Sequence, residues 1–169
     1  MLVTTKTKTK HIVPILSTKE LVEEFIEKVD PYPLDKDIIS MTIAEFSNII
    51  LDEESYIQSL LNEKLAYVAF GKVKSYRQQM KQLADWMKKL EVKQSEDEKR
   101  AAIGVDFPDL IQRMLITVTK FFGLKSFDEA ENVKLADYLL IAMSESADIK
   151  YQRNYQQILE MRNKVKTKK

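Results

Sequence analysis

The 169-residue chain contains no cysteine, which excludes disulfide bonds, thiolate zinc sites, iron–sulfur clusters and a cysteine nucleophile. Its single histidine, His11, lies in a Thr/Lys-rich stretch near the first residue. That position argues against a histidine general base, most metal sites and a Ser-His-Asp triad. The many carboxylates show no pair that stands out from helix caps and solvated helix faces. We therefore predict that the protein is not an enzyme, and we expect no cofactor, no metal ion and no small-molecule substrate.

Glycine and long apolar runs are also scarce. The three glycines, Gly71, Gly104 and Gly123, are far apart, so neither common glycine-rich phosphate-binding motif can be written. No apolar run approaches the roughly 20 residues of a membrane-spanning helix. The first residues do not show the charged and then apolar pattern of a signal peptide. We therefore expect a protein that is neither secreted nor membrane-spanning, located in the cytoplasm or in a particle assembled there.

Apolar residues recur at helical spacing through most of the chain, which predicts an all-α fold. The longest periodic segment is 55–93, where apolar residues follow alternating steps of three and four for about four heptads. These residues lie at positions 66, 69, 73, 76, 80, 83, 87 and 90. Additional apolar residues beside this seam, such as Phe70 and Trp86, widen the apolar face. The sequence thus predicts an irregular bundle of about five to seven helices around one long central helix, rather than an isolated coiled coil.

Local signals predict where several helices begin and end. A Ser or Thr followed three residues later by Glu forms a capping box. Such boxes begin at Ser17, Thr42, Ser95 and Ser126. Asp106 is the predicted cap of a helix with Pro108 in its first turn, and Gly123 is the predicted end of that helix. Residues 144–146 predict a weak break before a final helix.

The ends of the chain differ from its middle. Residues 1–16 are predicted to form an extended arm, in which Thr/Lys alternation places Lys6, Lys8 and Lys10 on one side. This arm is either disordered or becomes ordered by adding a strand to a partner or by lying on phosphates. Residues 17–161 are predicted to form a single helical domain. Residues 162–169, with five basic residues and no acidic one, form a predicted basic tail.

The net charge of +1 conceals a strong segregation of charge along the chain. Residues 20–63 hold twelve acidic and two basic residues, whereas residues 64–100 hold ten basic and five acidic ones. Within the basic segment Lys74, Lys81 and Lys88 recur every seven residues, with Arg77 nearby. This basic stripe faces a nucleic acid, an acidic protein, or the acidic first third, within the same chain or across a subunit boundary.

These observations favour a non-enzymatic structural, assembly or adaptor subunit that contacts other proteins through helices and the arm. The partner would be a second copy or a larger particle, of which virus and phage assemblies are one type. The alternative is a nucleic-acid-binding accessory protein that uses the basic arm, stripe and tail. The candidate partner-binding residues for either function are Lys6, Lys8, Lys10, Lys74, Arg77, Lys81, Lys88, Arg162, Lys164 and Lys166.

Overall fold

The computed structural model describes residues 19–92, 95–103, 105, 106 and 108–166, so the predicted arm at 1–16 and the Ser17 capping box lie outside the described residues. The structure is 77% helical, and its described residues include no strand, which confirms the all-α prediction. This part of the chain contains eight α-helices and one short 3-10 helix, one α-helix more than the upper bound predicted from the sequence. In chain order they are α1 (Lys19–Lys28), the 3-10 helix (Ile38–Ser40), α2 (Ile43–Leu51), α3 (Glu53–Leu61), α4 (Ala66–Leu90), α5 (Glu96–Ala101), α6 (Leu110–Phe122), α7 (Phe127–Glu131) and α8 (Leu135–Lys166).

The chain divides into two compact units, and the boundary between Ala84 and Asp85 lies inside α4. The first unit contains α1 to α3, the 3-10 helix and most of α4. The second contains the last residues of α4 together with α5 to α8. The single helical domain over 17–161 stays a prediction.

The apolar seam of α4 supplies much of the core of the first unit. Its side chains are buried at Ala66, Ala69, Val73, Tyr76 and Leu83, and half-buried at Met80, Met87 and Leu90. The predicted extra width is present at Phe70, whose ring lies 4.8 Å from that of Phe25 in α1. The prediction is wrong for Trp86, which is 50% exposed. Trp86 lies on the opposite flank of the seam and beyond Ala84, where α4 has left the first unit.

The predicted capping box at Thr42 is present in the first unit. At Thr42 the hydroxyl accepts a hydrogen bond from the N–H of Glu45, whose carboxylate accepts one from the N–H of Thr42. Asp52 ends α2 and caps α3, because its carboxylate accepts a hydrogen bond from the N–H of Ser55. The periodic segment 55–93 is not one helix, since a turn at Asn62–Leu65 separates α3 from α4.

Gly71 lies in α4 at a point where another part of the backbone approaches closely. Its carbonyl oxygen accepts a hydrogen bond of 3.0 Å from the N–H of Tyr32. A Cβ atom at this position would lie 2.7 Å from the Cβ of Tyr32 and 2.8 Å from the carbonyl oxygen of Asp30. Gly71 therefore allows the segment after α1 to contact the α4 backbone directly.

The second unit is built on α6, which packs its buried Met114, Leu115 and Val118 toward α7 and α8. The cap of α6 is Asp109 and not the predicted Asp106, because Pro108 precedes the helix and Asp109 accepts a hydrogen bond from the N–H of Gln112. Gly123 ends α6 as predicted, in the left-handed conformation with φ of 63°. The apolar face does not reach the end of α6, since Phe121 and Phe122 are exposed.

Helix α8 is longer than the sequence indicates. The predicted weak break at 144–146 is absent, and the break lies earlier, at Asn132–Lys134 between α7 and α8. Within the continuous helix the hydroxyl of Ser146 is buried and donates a 2.8 Å hydrogen bond to the carbonyl oxygen of Leu90. The helix continues to Lys166, so the residues of the predicted tail from 162 to 166 extend α8.

Candidate functional site

Two residues of the predicted basic stripe contact α1 within the first unit. The Nζ atom of Lys74 donates hydrogen bonds of 2.8 and 2.6 Å to the carbonyl oxygens of Glu27 and Val29. Carbonyl groups at a helix C-terminus lack partners within their helix and carry a partial negative charge, so a lysine caps them favourably. The positive charge of Lys74 therefore stabilises the end of α1.

Arg77 lies one turn further along α4 and pairs with α1. Its guanidinium donates two hydrogen bonds to the Glu23 carboxylate, one at 2.9 Å between Nη2 and Oε1 and a second from Nη1 to Oε2. This parallel geometry is the strong form of an arginine–carboxylate pair. The hydrogen bonds to Glu23 raise the pKa of Arg77 further above its ordinary value. Lys74 and Arg77 thus face the acidic first third of the same chain, one of the three alternatives open from the sequence.

The other predicted residues have different surroundings. Lys81 and Lys88 are exposed on α4, and Arg162 is exposed on α8. Lys6, Lys8 and Lys10, together with the side chains of Lys164 and Lys166, lie outside the described residues. The structure therefore does not bring the ten predicted residues together into one described basic surface.

A lysine absent from the predictions forms the most buried ionic contact of the first unit. The side chain of Lys72 is 6% exposed, and its Nζ donates hydrogen bonds to both carboxylate oxygens of Asp35, at 3.0 and 2.9 Å, and to Glu63. The hydrogen bond to Glu63, followed by that to Asp35, raises the pKa of Lys72 although burial acts in the opposite direction. A lysine beside the apolar seam was visible in the sequence, but its partner 37 residues away was not.

Helix α8 has two apolar faces on opposite sides. The inner face holds Leu135, Leu139 and Ser146, which are buried in the second unit. The opposite side holds seven apolar residues, which we call the outer stripe. They are Leu140, Met143, Ala147, Tyr151, Tyr155, Ile158 and Met161. At 100° per residue all seven fall within about 120° of the helix circumference.

The outer stripe is exposed along its whole length in the part of the chain that the structure describes. Its exposed fractions range from 48% at Ile158 to 70% at Tyr151 among the large side chains. The rings of Tyr151 and Tyr155 stack with centroids 6.3 Å apart and planes 10° from parallel. Sequence reasoning did not single out these residues. The signal that could have found them is a second apolar stripe at helical spacing on the same helix.

The second unit also contains a half-open cavity of about 460 Å³. Apolar residues from α4, α6 and α8 line most of it, and Glu91, Arg113, Tyr138 and Glu145 are its ionisable groups. Burial raises the pKa of Tyr138, Arg113 opposes the shift, and Glu145 adds to it. The cavity can accommodate an apolar group beside a neutral phenol.

The described residues contain neither a helix suited to cross a membrane nor a cluster suited to bind a metal ion. None of their helices combines the length and apolar character needed to cross a bilayer. No group of three or more Asp, Glu, His or Cys side chains among them is placed to hold a metal ion.

Comparison of the chain with protein-family models, curated protein sequences and solved structures finds no match.

Proposed function

We propose that this chain is a non-enzymatic structural or adaptor subunit that acts through helix–helix and arm-mediated contacts with protein, in a homo-oligomer or a larger particle. One observation carries the proposal: α8 buries one face and exposes a second apolar face on its opposite side. A helix that is apolar on one stripe needs one packing partner, and a helix with two such stripes needs a second partner.

The length of the outer stripe favours a contact with another helix rather than a binding site for a small ligand. From Leu140 to Met161 it extends over about 32 Å at 1.5 Å per residue. Exposed apolar surface of this extent is typical of interaction surfaces on soluble proteins. Tyrosine and methionine, which supply four of its seven residues, are enriched at protein–protein interfaces.

The following test measures whether the outer stripe is needed for association and does not depend on which protein binds it. The native chain and the variant Tyr151→Gln/Ile158→Gln would be produced in the cells from which the gene comes, and their extracts separated by size. We expect the native chain in a species well above its monomer mass of 19.7 kDa and the variant at the monomer position. The matched control Gln152→Ala/Gln156→Ala alters exposed residues of the same helix outside the stripe and should elute like the native chain. A native chain that elutes as a monomer would contradict the proposal.

Nucleic-acid binding is the second candidate function, and the exposure of Lys81, Lys88 and Arg162 favours it. The use of Lys74 and Arg77 within the first unit counts against it. Affinity for a duplex should then fall steeply with salt, with a slope growing by roughly 0.9 per phosphate neutralised. An affinity that stays constant between low and high salt would refute this candidate.

A further inference from the structure

We infer that the partner of the outer stripe is the outer stripe of a second copy, and that the two copies pair with their α8 helices antiparallel. The inference rests on the proposed function and names the partner and the geometry. It also goes beyond the helix–helix seam predicted on α4, because that seam is largely buried within the chain.

The charge along α8 supports the antiparallel direction. Residues 135–149 hold three acidic residues and no basic one, whereas residues 150–166 hold five basic residues and one acidic one. Glu145 lines the cavity of the second unit and Arg153 pairs with Glu98, so the described charges beside the outer stripe are Asp137 and Asp148 in the first half of α8 and Arg162 in the second. In an antiparallel pair Asp137 and Asp148 of each helix lie toward the basic half of the other. A parallel pair would place like charges together, which opposes association.

The apolar stripe and the charge pattern agree on the same centre. The change from acidic to basic lies between residues 149 and 150, and the midpoint of the stripe from Leu140 to Met161 falls at the same place. A two-fold axis near Tyr151 therefore matches the full length of the stripe and the two charged halves at once. Such an arrangement is self-complementary and closes as a dimer, as a two-fold interface must.

This centre also determines which residues of the two copies lie opposite each other. Leu140 lies opposite Met161 of the second copy, and Met143 lies opposite its Ile158. Ala147, the smallest residue of the stripe, lies opposite Tyr155 of the second copy. Alternation of small and large residues across an interface allows close packing. The two Tyr151 side chains meet near the axis.

Because the chain has no cysteine, single cysteines report the geometry directly. We would prepare Met143→Cys and Ile158→Cys as separate proteins and oxidise them alone and mixed. In an antiparallel pair the mixture forms a disulfide between the two different variants. Each variant alone forms none, since positions 143 and 158 are about 22 Å apart along the helix and a disulfide requires Cα atoms within about 7 Å.

A control pair with the same centre lies on the other side of the helix. Glu145→Cys mixed with Gln156→Cys has the same centre but faces away from the second copy, so we expect no disulfide. Disulfides within the Met143→Cys variant alone would indicate a parallel pair and overturn the inference. An absence of disulfides in every mixture would overturn it as well.

Light scattering gives a second test that does not depend on the cysteine variants. We expect a dimer of twice 19.7 kDa. Its dissociation constant should rise several-fold between low and moderate salt, because salt screens the attraction between the charged halves. The variants Tyr151→Ala and Ile158→Ala should each raise it by about tenfold, as expected for apolar residues central to an interface.

The results separate the inference from the proposed function. A purified chain that is a monomer, or whose association strengthens with salt, overturns the antiparallel dimer. If the same chain still occurs in a large species in cell extracts and the stripe variant does not, the proposed function stands with a different partner.

Discussion

The two units of the chain differ in how completely they cover their apolar side chains. Of the 18 large apolar side chains that are exposed among the described residues, 14 belong to the second unit. The first unit holds the most deeply buried large side chains, including Tyr76, Phe46 and Phe70. The first unit is therefore closed around its own core, whereas the second presents apolar surface that a partner can cover.

The ionic contacts of the two units differ in burial. In the first unit Lys72, Lys74 and Arg77 connect α4 to the segments that precede it, and the side chain of Lys72 is 6% exposed. In the second unit the ion pair between Arg153 and Glu98 links α8 to α5, with side chains 35% and 46% exposed. The ion pair of the second unit is therefore closer to solvent than Lys72 of the first.

The largest expected effect comes from truncating one phenylalanine in each unit. Phe46 is 1% exposed and Phe121 is 60% exposed. Phe46→Ala leaves a cavity in the core and should lower the free energy of unfolding by about 3–5 kcal/mol. Phe121→Ala should change it by less than about 1 kcal/mol. Urea unfolding followed by circular dichroism measures both, and equal losses would contradict the difference between the units.

The close backbone contact at Gly71 gives the next largest effect. Replacing a helical glycine by alanine ordinarily stabilises a helix by about 1 kcal/mol. Gly71→Ala should instead destabilise the first unit by about 1–3 kcal/mol, because the new Cβ meets Tyr32 and the backbone of Asp30. Gly123→Ala in the second unit is the matched control. No atom lies within 4 Å of its added Cβ, so only the left-handed backbone opposes it.

The Gly123→Ala control should cost about 1–2 kcal/mol for an alanine at positive φ. Thermal unfolding of Gly71→Ala and Gly123→Ala measures both losses and so distinguishes the close contact at Gly71 from the backbone strain at Gly123. Tyr32→Gly should relieve only part of the loss in Gly71→Ala, because the contact with the carbonyl oxygen of Asp30 remains, and it should leave the loss in Gly123→Ala unchanged. A Gly71→Ala protein that is more stable than the native chain would show that the contact is absent.

Alkaline pH should act strongly on the first unit. Tyr76 is fully buried and its hydroxyl donates a 2.9 Å hydrogen bond to Glu53. Burial, followed by the hydrogen bond to Glu53, raises the pKa of Tyr76. The pKa of Lys72 is raised as well. For both groups the folded state holds its proton more tightly than the unfolded state, so their contribution is complete below about pH 10 and is lost as pH rises through the folded pKa.

We therefore expect the free energy of unfolding, measured with urea, to fall as pH rises above about 10, by at most about 1.4 kcal/mol per pH unit for each group. Tyr76→Phe should be about 1 kcal/mol less stable at pH 8 and should show a shallower fall. Tyr32→Phe, which alters an exposed ring of the first unit, is the control and should keep the native slope. An unchanged slope in Tyr76→Phe would show that this phenol does not link stability to pH.

The elements that local sequence patterns control could be predicted. The α4 seam and the Thr42 and Ser95 capping boxes are present because each depends on residues within a few turns of one another. The contacts of Lys72 and Gly71 could not be predicted, because their partners lie about 40 residues earlier in the chain. Periodicity shows which face of a helix is apolar, but it does not show which of two apolar faces the rest of the chain covers. That limitation explains why the outer stripe of α8 was not predicted as an exposed apolar surface.

The smallest expected effect tests the one serine that the sequence pattern treats as a break in α8. Ser146 and Ser144 lie in the same turn, but only Ser146 is buried, with its hydroxyl bonded to the carbonyl oxygen of Leu90. Ser146→Ala removes this bond and leaves a carbonyl without its partner, so the second unit should lose about 1 kcal/mol. Ser144→Ala should be neutral or slightly stabilising, because alanine favours an exposed helical position. Thermal unfolding of the two variants gives the comparison. Equal effects would mean that helix propensity alone keeps α8 continuous, whereas a loss confined to Ser146→Ala shows that the contact with the end of α4 does so.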